Sequence, residues 1–482
     1  MNHSWCLALV VCLGCGEVSD SPELLTSRSE KPLAFADPDK DCAGCHPQHV
    51  AEWRISNHAY AAIDPVFIAM TKVAQRQSGG KVDQFCTNCH MPVAAAYGLT
   101  PVFFDEETRV FKQDVVNLPE SVKKGVTCDV CHSVVSVTET RNAKLELKPD
   151  GNQRGTIRDP IPTSAHQSTY SELHASSRMC SSCHAVVNGK GALLEQTFDE
   201  WTFSNAANEG RQCQDCHMPS YEGPAAKDGP SRLVHDHTFV GVDVSLLPED
   251  EFPGYWELRK KTAALLATAA AMDADYSSVQ EQLVVKIANR AGHGLPTGAT
   301  ADRQMWLRVI VRDVDGALLF ESGTLDSNLD IRDGIEGHSE RPGTDPQLAY
   351  FGQLLLESKQ LPAASTDSER AQIRARLTAD CLPMGQGGHS GFGDDLKAGA
   401  FPWNANWQCD YMLKPDETIE VRYDLASLEG RPATISVELL YRTFPPYLLR
   451  KLERLGGLDR AVKERVPMVT MAAKTISIKD AD

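Results

Sequence analysis

The 482-residue chain contains no apolar run long enough to cross a bilayer; the longest, residues 4–14, is far shorter than a spanning helix needs. Positive charge is also in short supply. With 48 Lys and Arg against 65 Asp and Glu, the formal net charge is −17, which argues against nucleic acid and against an anionic membrane surface as partners. Aromatic residues make up only 7% of the chain, and residues 41–242 show little helical or alternating apolar period. A segment so rich in Asp, Ser, Asn, Gly and Pro cannot build a core from its own side chains. Something other than side chains must fill it.

Cysteine supplies the answer. The pattern Cys-x-x-Cys-His occurs five times, at Cys42/Cys45/His46, Cys86/Cys89/His90, Cys128/Cys131/His132, Cys180/Cys183/His184 and Cys213/Cys216/His217. Two thiols at this spacing reach the two vinyl groups of one porphyrin, and the adjacent histidine becomes the proximal iron ligand. A zinc knuckle or a thioredoxin-like pair would use the cysteines and leave each histidine unexplained. The pattern therefore predicts five covalently attached haems c, whose porphyrins supply the missing core. Without them the segment is not expected to fold.

Ten of the fifteen cysteines lie in these motifs. Three more, Cys6, Cys12 and Cys15, lie in the apolar leader, where Leu13-Gly14-Cys15 reads as a lipobox. Export is expected, to the periplasm or to the outer membrane and cell surface of a bacterium. The only membrane contact predicted is a lipid anchor at Cys15. Only Cys381 and Cys409 remain; in an exported protein they suggest one disulfide, with two buried free thiols as the alternative.

The run from Cys42 to His46, followed by Trp53 and Ser56-Asn57-His58-Ala59, then Cys86 to His90 with Met91-Pro92, then Gly125-Val126 before Cys128, carries a resemblance. It resembles the multihaem c-type cytochromes related to the tetrahaem cytochrome that accepts electrons from hydroxylamine oxidoreductase. The resemblance spans residues 41–242. It implies a helical and loop-rich cytochrome, and it implies distal iron ligands at His58, His166, His174, His237 and His293. His235 would share a face with His237 in an extended segment and is its reserve. His49, one helical turn from His46, is disfavoured for the same haem.

A second imidazole at each iron makes a closed, electron-transferring haem, whereas an open position admits a substrate. The histidines suffice for full ligation, and no motif departs to Cys-x-x-Cys-Lys. The expected function is therefore electron transfer along the haem chain, with redox proteins, other multihaem cytochromes among them, as partners. The alternative is a reductase or oxidase of small nitrogen or sulfur compounds at one open haem, for which no catalytic residue is assigned. A third reading makes the C-terminal part a docking module for an outer-membrane partner or a mineral surface.

The expected fold class is α+β and multidomain: a mostly helical and loop-built multihaem cytochrome domain followed by a β-sandwich-like domain with long loops. The expected order is a signal peptide and lipobox at 1–15, a tether at 16–40 and a pentahaem domain at 41–245. A connecting helix at 246–275 leads to the β domain at 276–482. Apolar spacing with no interior Gly or Pro predicts a helix over 255–273 and another over 194–208. Strands are predicted at Gln282–Asn289, 305–312, 317–320, 418–423, 433–441 and 468–478, with a helical insertion at 446–465.

Overall fold

Side-chain caps set the helices of the N-terminal half. α1 (Pro47–Arg54) begins on proline, whose missing N–H costs nothing there, and Ser56 Oγ accepts the Ala59 N–H to start a further turn at Asn57–Tyr60. α2 (Pro65–Ser78) is capped by Asp64, which accepts the Val66 N–H at 2.8 Å, and stops at Gly79 with φ 62°. The computed structural model describes residues 35–98, 103–105, 110–112, 123–335, 338, 345–381, 396–428 and 430–479. The leader, with its lipobox, and His389 lie outside the described residues.

Between the motifs and just after the last one the chain forms small two-stranded sheets that the sequence does not announce. Val134–Val137 pairs with Leu145–Leu147, and Asn152–Gly155 runs parallel to Gln167–Tyr170. Val186–Val187 pairs with Leu193–Glu195, and Ser220–Pro224 with Ser231–His235. Strands this short carry no readable period. The helix expected over 194–208 is split for the same local reason. Leu194 belongs to the strand, Thr197–Thr202 is one helix, and Ser204 Oγ caps a second at Asn205–Asn208.

α3 (Tyr255–Ala269) ends four residues before the expected Asp273 and passes directly into β1 (Ala270–Ser277). No breaker stands between them. Antiparallel pairing with β2 (Gln282–Asn289), from Ala270↔Asn289 to Ser277↔Gln282, outweighs the helix propensity of the alanines.

β3 (Arg303–Asp313), β4 (Leu318–Ser322), β5 (Tyr350–Phe351), β6 (Gln353–Ser358), β7 (Leu396–Ala398), β8 (Trp407–Asp410), β9 (Thr418–Asp424) and β10 (Ala433–Thr443) follow. α4 (Pro446–Gly456) and β11 (Val469–Ile478) close the series. One sheet has the order β1-β2-β9, a second the order β4-β3-β10-β11 with β5 also on β3, and a third the order β7-β6-β8. Leu283, Val285 and Ile287 of β2 share one core with Met305, Leu307, Val309 and Val311 of β3 and with Val437 and Leu439 of β10. The first two sheets thus pack face to face through alternate residues. Trp306 points to the other face of β3 and packs with Leu354 and Leu356 of the third sheet. Cys381 and Cys409 are joined as a disulfide, 28 residues apart in sequence.

The two halves interlock. Val66, Ala69 and Val73 of α2 pack against Leu448, Leu449 and Leu452 of α4. A Cβ on Gly456 would stand 2.6 Å from the Ala69 carbonyl oxygen, so glycine is what allows this approach.

Candidate functional site

All five motifs open onto one continuous cavity of about 1840 Å³. An ordinary ligand pocket holds roughly 300–1,000 Å³, so this void has room for several large flat groups. The motif cysteines line it as free thiols, and they touch across motifs. Cys42 meets Cys128, Cys89 meets Cys183, and Cys180 meets Cys213. Cys131 lies within electrostatic reach of Cys183, linking the third motif to the fourth.

The hydrogen bonds of the motif histidines fix their tautomers. Nδ1 of His46 lies 2.6 Å from the Ala225 carbonyl, that of His132 2.6 Å from Arg154, and that of His217 2.7 Å from Val240. Nδ1 of His184 faces Glu195 Oε1 at 3.0 Å. Each of these Nδ1 atoms thus carries a proton, and in the neutral ring Nε2 keeps its lone pair for a metal. The same tautomer is set at His166 by Gln167, at His237 by His235 and at His293 by Gly294, with Nδ1 to carbonyl distances of 3.0, 2.8 and 2.9 Å.

Two imidazoles on one iron, with metal–nitrogen bonds of about 2 Å, hold their ring centres about 6 Å apart. Four motif histidines have such a neighbour: His46 with His166 at 6.1 Å, His132 with His237 at 6.4 Å, His184 with His58 at 6.3 Å, and His217 with His293 at 6.2 Å. Burial lowers the pKa of His58 and His132 to about 3 and that of His293 to about 4, so these rings stay neutral, the form that ligates. His184 differs: burial disfavours its charge, yet Glu195 raises its pKa to about 9. Gly125 lets the chain close over His58, since a Cβ there would lie 2.0 Å from the His58 carbonyl oxygen.

His174 departs from the expectation. Its ring lies 6.0 Å from His132, but Nε2 bonds the Cys131 carbonyl at 2.9 Å and Nδ1 bonds Ser171 Oγ at 2.9 Å. Both ring nitrogens are thus engaged by the protein, and His237 also faces His132. His235 is tied through Nδ1 to the Met218 carbonyl at 2.8 Å. His49 sits against His237 at 4.7 Å and shares Glu52 with it. Burial would raise the Glu52 carboxyl, but hydrogen bonds from His237, His49 and Tyr221 hold it well below the usual carboxylate range. His338 lies away from the cavity, bonded to Asp333 and stacked on Tyr447 at 3.6 Å.

His90 stands apart. Its ring stacks on Phe67 at 4.3 Å with planes 6° apart, and among the described residues no second imidazole faces it. Its Nδ1 is buried without a hydrogen bond; the Ala61 carbonyl is near enough to be felt but does not bond it.

The residues present fit haem c: five thiol pairs, imidazoles kept neutral by burial at His58, His132 and His293, and one void to hold the rings. Glu52 and Glu195 act on these imidazoles and were not foreseen. Glu195 returns to His184 only because the hairpin Val186–Val187/Leu193–Glu195 folds back.

Residues 41–133 match the family model described as cytochrome c554 and c-prime. No curated protein matches the sequence. Among solved structures, a penta-heme cytochrome c552 from Thermochromatium tepidum is similar in fold, with a TM-score of 0.57 and 19% identity over 93% of this chain and 100% of that one. Residues 41–133 are thus similar to a c-type cytochrome family, and the chain as a whole is similar in fold to a penta-heme cytochrome.

Proposed function

We propose that this chain of multihaem cytochrome type is an exported electron carrier with five covalent haems, one on each Cys-x-x-Cys-His motif. The observation that carries the reading is the contact between thiols of different motifs within one cavity. Thiols in contact place the haem edges they hold side by side. The first, third and fourth motifs then form a line, and the second and fifth both join it at the fourth. Cys45 and Cys216, in the first and fifth motifs, are exposed and mark the ends at which redox partners approach. Partner surfaces are basic, to complement a net charge of −17.

The haem supplies one-electron exchange at its iron. Each ring would be held by two thioethers and by the motif histidine, with His166, His237, His58 and His293 as second ligands at the first, third, fourth and fifth motifs.

A second reading, reduction or oxidation of a small nitrogen or sulfur compound, is favoured at the second motif alone, where His90 has no imidazole partner among the described residues. Electron paramagnetic resonance of the oxidised holoprotein separates the two. Five low-spin signals support a pure carrier; one high-spin signal that shifts on adding nitrite or hydroxylamine supports the second reading. Denatured holoprotein carrying fewer than five haem masses would refute both. Replacing Cys15 with Ala is expected to release the protein from membranes, and unchanged membrane association would remove the lipid anchor.

A further inference from the structure

Arg303 opens β3, is 6% exposed, and lines the cavity with Asp243, Asp302 and Phe444. Asp243 Oδ2 takes its Nη2 at 2.8 Å, while Nε and Nη1 are buried with no partner. Among the described residues three other arginines have a buried N–H without a partner, Arg259, Arg442 and Arg450, and none of them lines the cavity. A dry, unbonded N–H on a charged group is costly to leave without an acceptor. The missing acceptor therefore belongs to whatever fills the void.

The position of Arg303 narrows what that acceptor is. Its charge is felt by Glu195, the partner of His184, and its anchor Asp243 is felt by His90. It stands between the second and fourth motifs. A guanidinium is a planar fork of donors that matches a planar oxyanion better than any neutral acceptor. Burial raises the Asp302 pKa to about 6, so the neighbouring carboxyl readily takes a proton when a further negative charge arrives.

We infer that Arg303 is an anion site, taking a planar oxyanion of the carboxylate kind at the cavity wall beside the second motif. Two sources share this chemistry: a propionate of the haem on Cys86 and Cys89, and a small inorganic oxyanion entering beside that haem. The inference rests on the haem reading of the motifs.

The test compares wild-type holoprotein with Arg303→Gln and Arg303→Lys by haem mass, redox titration and nitrite titration. If the anion is the propionate, Arg303→Gln shifts one haem's reduction equilibrium about tenfold toward the oxidised form, roughly 59 mV for one electron. Arg303→Lys, which keeps the buried charge and so supports folding where Gln does not, restores part of that shift, and nitrite changes nothing. If the anion enters from solution, nitrite gives a saturable spectral change in the wild type that weakens at least tenfold in both variants. Unchanged potentials together with an unchanged nitrite response, in either folded variant, would overturn the anion site. Fewer than five haem masses in the wild type would overturn the haem reading instead.

Discussion

Glu200 is a carboxyl that the fold keeps out of water. It lies in the helix Thr197–Thr202, and its Oε2 accepts the Gly294 N–H at 3.0 Å and the Thr297 hydroxyl at 2.5 Å. Its Oε1 is buried without a partner. Burial is the main influence and raises the pKa to about 7 from an ordinary 4.5; the two hydrogen bonds oppose it, and Asp410 and Glu195 add to it. Because the folded value lies above the unfolded one, the stability linked to this proton is fully present below pH 4.5 and is lost as pH rises to about 7. At about 1.36 kcal/mol per pKa unit, the span from 4.5 to 7 corresponds to about 3 kcal/mol. Glu200→Gln keeps an oxygen to accept both hydrogen bonds and cannot ionise. Its unfolding midpoint, followed by circular dichroism of the holoprotein, is expected to match the wild type at pH 4.5 and exceed it at pH 8. A difference that stays constant across this range would show that Glu200 is ionised throughout, and the reasoning from burial would fail.

His293→Ala is expected to turn one haem from low-spin to high-spin with covalent attachment intact; an unaltered low-spin spectrum would remove His293 from the iron. His174→Ala, by contrast, is expected to leave every spin state unchanged, since both its ring nitrogens bond the protein, and a new high-spin signal would restore it as a ligand. Replacing Cys381 and Cys409 with Ser opens a link across 28 residues, which on chain entropy costs about 3–4 kcal/mol. A lower unfolding midpoint with an unchanged haem spectrum is the expected result, and an unchanged midpoint would show the link to be without structural weight.

The motif cysteines and histidines were legible because their chemistry is local: attachment to one porphyrin needs five consecutive positions and nothing else. The strands Gln282–Asn289 and Ala433–Thr443 were legible through their alternation. The pairing of distant histidines was not. His293 meets His217, and Gly125 meets His58, through closure of segments far apart in sequence, which no period records; only the resemblance put His293 and His58 forward. It also named His174, whose nitrogens are claimed by Ser171 and Cys131 through contacts that appear only when the chain is folded. The end of α3 was illegible for a related reason, since the residues that stop it, Asn289 and its neighbours, lie on the next strand.

With haems on the motifs, the partners of the motif Nδ1 atoms would set a height profile for a travelling electron. An imidazole whose proton is drawn toward a carboxylate becomes a stronger donor and favours ferric iron, one bonded to a carbonyl does so less, and one with no partner least. His184 has Glu195, His46, His132 and His217 have carbonyls, and His90 Nδ1 has no hydrogen bond among the described residues. With a haem on each motif, the fourth, where the branches meet, would be the crest of the profile and the second beside it the basin. An electron would cross the junction without dwelling there and would come to rest on the side branch at His90.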